Sequence, residues 1–86
     1  MPKYTHLPAV KGKELIKLLQ KDGWVVHGHV THGVSLRKQF ADRVRVTLVQ
    51  DTGAALPDGT LGAILGPKQT SLGKRGLLDL LNRFGI

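Results

Sequence analysis

Three of the chain's four histidines, His27, His29 and His32, stand close together in the sequence. Imidazole is the side chain that changes charge near neutral pH. His27 and His29 are two apart in a segment of strand character, so plain alternation places them on one face. With a third ligand they could hold a metal, but a His-x-His pair alone is a weak signal and no carboxylate lies near it in the sequence. His32 sits at the mouth of the next strand, in Val30-Thr31-His32-Gly33-Val34-Ser35-Leu36. A histidine beside a basic face stands beside bound phosphate. RNA carries its own nucleophile, the 2′-hydroxyl, next to the scissile phosphorus. An imidazole that deprotonates this hydroxyl, or protonates the leaving 5′-oxygen, contributes about 10²–10⁴ in rate. Lysine and arginine stabilise the charge that builds on the phosphorane. On spacing alone, a histidine bonded to the turn backbone fits His32 better than catalysis does.

The cations that such chemistry needs are abundant. Thirteen Lys and Arg against six Asp and Glu leave a formal charge of +7 on 86 residues. A field of that sign on a small surface attracts polyanions, nucleic acid first and an acidic protein second. A protein that is basic without a polyanionic partner remains open. Lys13, Lys17 and Lys21 recur every fourth residue, which makes one ridge on a helix. Like charges at that spacing cost a few tenths of a kcal/mol per pair. The ridge is therefore a candidate for phosphate contacts, although an ordinary solvated face fits as well.

Other chemistries lack their residues. With no cysteine there is no disulfide, thiol nucleophile or Cys-ligated zinc. The chain shows no P-loop, nucleophile elbow, zinc signature or paired carboxylates. Its aromatics, Tyr4, Trp24, Phe40 and Phe84, are too few for a base-stacking sheet. No apolar run approaches the ~20 residues of a membrane span, and the N-terminus lacks a signal-peptide core. A cytoplasmic protein with no membrane partner, no metal and no cofactor is expected.

The elements that must position these residues follow from periodicity. Residues 1–11 form an irregular lead-in with Pro2 and Pro8. Leu15, Ile16, Leu18 and Leu19 mark a first helix after Gly12, stopped by Gly23. Strands are predicted over 24–29, 33–40 and 43–50, the last two joined by a tight turn at Ala41-Asp42. Alternation places Val26, Val34, Leu36, Val44, Val46 and Leu48 toward the helices, with Leu15, Leu19, Leu61 and Ile64 packed on them. Arg37, Arg43 and Arg45 then share the outward face. Asp58 can cap a short helix to Leu65, ended by Gly66-Pro67. A last helix carries Leu77, Leu80, Leu81 and Phe84 on one stripe. The order α-β-β-β-α-α predicts an α+β domain spanning 1–86, with one face of a three-stranded antiparallel sheet covered by helices.

Gly12-Lys13-Glu14-Leu15-Ile16-Lys17-Leu18-Leu19 followed by Asp22-Gly23-Trp24-Val25 resembles the opening of the HicA (YcfA-like) toxin family. Val44-Arg45-Val46-Thr47-Leu48-Val49, Pro57-Asp58-Gly59-Thr60-Leu61 and Ile64-Leu65 continue the resemblance through about residue 66. It implies a fold like the double-stranded-RNA-binding domain (dsRBD), with residues 67–86 as a C-terminal helical extension. It also implies a stress-response toxin that cleaves mRNA without a metal, blocked by a HicB antitoxin. The family's active histidine falls on His32, with Lys13, Lys17, Arg37, Arg43 and Arg45 as the cations that would hold phosphates. Val30-Thr31-His32 stands where the family has Gly-Ser-His, and Gly33 is an extra residue. A β-bulge at Gly33 is therefore expected, turning an accessible His32 outward beside a Lys or Arg. An RNA-binding or partner-binding module of the same fold without nuclease activity is the alternative. The oligomeric state is open.

Overall fold

The computed structural model describes residues 8–31 and 33–85. Its elements are α1 (Gly12–Lys21), β1 (Val25–Val30), β2 (Gly33–Gln39), β3 (Val44–Gln50), α2 (Asp58–Leu65) and α3 (Gly73–Phe84). The strands form one antiparallel sheet in the order β1-β2-β3, as consecutive strands with short connections do. The α+β architecture and the element order match the periodicity.

Helix α1 buries Leu15, Ile16, Leu18 and Leu19 and ends where glycine allows it. Gly23 takes φ +102°, its N–H donates to the Gln20 carbonyl at 3.1 Å, and the Trp24 N–H donates to the Leu19 carbonyl at 2.9 Å. This paired arrangement closes the helix and drops Trp24 onto the core, where it is buried against the ring edge of Phe40. Helix α3 buries Leu77, Leu80 and Leu81 and packs on α1 and α2, so the last segment closes the core. Phe84, at the end of its stripe, remains partly exposed under the Lys21 ammonium.

Val34 and Leu36 face the helices as alternation predicts, with Val26 half-buried beside them. Strand β3 corrects the prediction. Val44, Val46 and Leu48 face away from the core, the last two 49% and 52% exposed, whereas Thr47 and Val49 are 1% and 0% exposed. The cause is the turn. The Phe40 N–H donates to the Arg43 carbonyl at 2.7 Å, which closes a two-residue connection over Ala41 and Asp42. Opposed residues share a face, and this closure pairs Leu36 with Thr47 and Val34 with Val49. Arg45, paired with Lys38, consequently lies on the helix side. Its Nη1 donates to the Pro67 carbonyl at 2.7 Å, and Thr47 Oγ1 donates to Gln69 Oε1 at 2.6 Å. Both tie the α2–α3 connection to β3. Lys38 works likewise, donating to the Asp22 carbonyl at 2.7 Å beyond the end of α1.

A second irregularity lies in β1. Val26 pairs with Leu36 and Gly28 with Ser35, leaving His27 as the extra residue of a bulge. The expected bulge at Gly33 is absent: Gly33 pairs regularly with Val30 on one side and Gln50 on the other. Glycine serves close packing there, because a Cβ would lie 2.6 Å from the Val49 carbonyl oxygen.

Candidate functional site

The His27 bulge decides where the histidine chemistry can happen. Without it, alternation from the half-buried Val26 would send His29 outward. With it, Gly28 takes the outward position and His29 pairs with the buried Val34, on the helix side of the sheet. Strand β1 is one edge of the sheet and packs against α1, so His29 emerges at the seam between them. There it lines a groove of about 340 Å³ with Lys13, Lys17 and Gln20 of α1 and with Asp51. Ile16, Val26 and Val34 form the floor.

Backbone contacts place the other wall. The start of α1 and the chain before it pair with the chain after β3: the Leu56 N–H donates to the Val10 carbonyl at 2.9 Å and the Lys13 N–H to the Thr52 carbonyl at 3.1 Å. Gly12 makes this close approach possible, since a Cβ there would collide with the Gln50 carbonyl oxygen. The docking brings Asp51 to the groove and aims Lys13 and Lys17 along it.

The arrangement combines an exposed imidazole, two ammonium groups from successive turns of one helix, and a carboxylate. It can attract a phosphate to Lys13 and Lys17 and present a titratable group beside it. Asp51 opposes the anion's charge. The sequence singled out Lys13 and Lys17 and placed them correctly on the exposed ridge. The family resemblance put His32 ahead of His29, and strand alternation gives no sign of the bulge; the β-breaking Gly28 between His27 and His29 is the one local hint.

The remaining expected site residues separate. His32 lies outside the described residues. Arg37 is exposed on the open face between Val25 and Val46, beside a cleft of about 460 Å³. Arg43 is exposed at the turn, its Nε 3.1 Å from Asp42 Oδ2, and holds that carboxyl below its ordinary pKa. Arg45 does not share the open face with Arg37, because its guanidinium is turned inward onto the Pro67 carbonyl, and Arg43, opposite Phe40, is in phase with Arg45 rather than with Arg37. The five cations thus form no single surface: only Lys13 and Lys17 meet a histidine among the described residues. No cluster of three metal-binding side chains occurs among those residues, and the bulge removes the regular His27–His29 spacing. No described helix is long and apolar enough to cross a membrane.

Val25, Val30, Val44, Val46 and Leu48 are all exposed on the open face of the sheet, Val25 at 61%. Together these side chains make one exposed aliphatic patch. No protein-family model, curated protein or solved structure matches this chain.

Proposed function

We propose that this chain binds single-stranded RNA along the α1–β1 groove and cleaves it without a metal, as a HicA-like toxin of dsRBD-like fold acting on mRNA in the cytoplasm. The observation that carries this reading is the meeting of His29, Lys13 and Lys17 on one groove. Neutral His29 takes the proton of the 2′-hydroxyl. The 2′-oxygen bonds to phosphorus and the P–O5′ bond breaks. A general acid returns a proton to the leaving 5′-oxygen, and His32, which the family resemblance makes the general acid or base, is the candidate. The products are a 2′,3′-cyclic phosphate and a 5′-hydroxyl, and the two lysines stabilise the phosphorane charge.

The test is cleavage of a defined single-stranded RNA in EDTA. Cyclic phosphate ends are expected, with a loss of about 10²–10⁴ in rate for His29→Ala and for His32→Ala while RNA binding survives. Parental cleavage by both variants overturns the catalytic reading.

The open aliphatic face favours a second reading, a binding module that docks on a protein. A HicB-like antitoxin with acidic groups near Arg37 would satisfy its charge, and Leu48→Glu should abolish that complex. Chain variants that bind such a partner but never cleave RNA would favour this reading over the first.

A further inference from the structure

We propose that a second groove, around the end of the sheet from the lysines, seats a nucleobase, and that Gln50 reads it. This rests on the RNA reading above and extends it from phosphate to base recognition.

Val30, Gly33 and Gln50 form one row across the three strands at the end of the sheet where β1 meets β2. Val30 and Gln50 are exposed at its two ends. The middle position has no side chain and cannot acquire one, because the Val49 carbonyl oxygen occupies the approach. Next-nearest strands stand roughly 10 Å apart, so the row is a shallow notch between the Val30 and Gln50 side chains, floored by the backbone of Gly33 and Val49. The notch opens into a groove of about 550 Å³ that also meets Thr31 and Thr52.

The two grooves differ in charge and share an edge. The first carries Lys13 and Lys17. Among the described residues the second carries no Lys or Arg, and its polar lining of Thr31, Gln50 and Thr52 suits base edges rather than phosphate. His29 and Asp51 line both. A nucleotide whose phosphate lies between the lysines therefore has its neighbouring base within reach of the notch, on the far side of the imidazole. This juxtaposition is what base-selective cleavage needs: the reading residue sits one step from the group that moves the proton.

Gln50 fits the reading role. Its amide carries a donor and an acceptor, and no hydrogen bond among the described residues engages it. That pair matches the N7 acceptor and N6 donor of adenine. Sequence-specific RNA recognition uses splayed single-stranded bases of this kind.

The experiment measures binding of non-cleavable 2′-O-methyl tetranucleotides, A-rich, U-rich and C-rich, by fluorescence anisotropy. The full chain, Gln50→Ala and Lys17→Ala are compared, with circular dichroism confirming the fold of each. The parent should bind the A-rich probe about tenfold more tightly than the C-rich one, and Gln50→Ala should bring the two within about twofold. Lys17→Ala should weaken all probes alike. A parent without base preference, or a preference that survives Gln50→Ala, overturns the notch while leaving the phosphate groove standing. Failure of every probe to bind, together with indifference to Lys17→Ala, overturns the RNA reading and the notch with it.

Discussion

Strands β1 and β3 are the two edges of one sheet, and both depart from simple alternation by different means. In β1 an inserted residue, His27, shifts the face of everything after it and sends His29 toward α1. In β3 nothing is inserted; the tight turn before it fixes the pairing, and the whole strand presents the opposite face from the one its hydrophobic pattern suggests. The first departure assembles a polar groove. The second leaves Val44, Val46 and Leu48 on the surface and turns Arg45 into a structural tie. A local change of one residue's phase can create a site, whereas a change of register relocates a whole set of side chains.

The comparison breaks most visibly at β1. Deleting His27 removes the extra residue but keeps Gly28 opposite Ser35 and His29 opposite Val34, so cleavage should survive the deletion, whereas His29→Ala should lose about 10²–10⁴. A loss in the deletion variant as large as that of His29→Ala would overturn this account of the register.

At β3 the contrast is thermodynamic. Val49→Ala should cost about 2 kcal/mol of stability, because its side chain is fully buried, while Val46→Ala on the open face should stay within about 0.5 kcal/mol. Thermal or denaturant unfolding reads both, and the reverse order would restore the register that alternation predicts.

The cations sharpen the same contrast. Arg45→Ala should destabilise by about 1 kcal/mol, through the carbonyl contact it loses, and leave RNA affinity unchanged. Lys17→Ala should leave stability within about 0.5 kcal/mol and flatten the salt dependence of binding by about 0.7 in log K per decade of salt. Equal slopes for the parent and Lys17→Ala would remove that lysine from the phosphate path.

The smallest effect belongs to the turn that sets β3. Arg43 lowers the pKa of Asp42, so the folded chain holds that proton more weakly than the unfolded chain does. The contribution is present above the unfolded value, about 3.9, and is lost as pH falls through the depressed folded value. Because the pair is exposed, stability should decline only shallowly below about pH 4, and Asp42→Asn should remove that part of the decline.

Periodicity and turn residues were enough to locate every described helix and strand. Helical stripes such as Leu15-Ile16-Leu18-Leu19 and Leu77-Leu80-Leu81 can be buried on only one side, and Gly23 and Gly66-Pro67 end helices for reasons local to the backbone. The basic ridge at Lys13 and Lys17 was legible for the same reason. The β3 register was also within reach: a two-residue turn at Ala41-Asp42 requires Phe40 and Arg43 to share a face, which conflicts with placing Val34, Leu36 and Val44 on one side. The apolar alternation of Val44, Val46 and Leu48 masked this, because a strand's pattern says which residues share a face and not which face meets the core. The tertiary structure alone decided the rest. A bulge arises from pairing between strands, so no property of His27 by itself announces it. The groove needs α1, β1 and the chain after β3 to meet, and that meeting depends on backbone approaches at Gly12. Local sequence determines what each segment can become; only the packed chain determines which side chains stand beside His29.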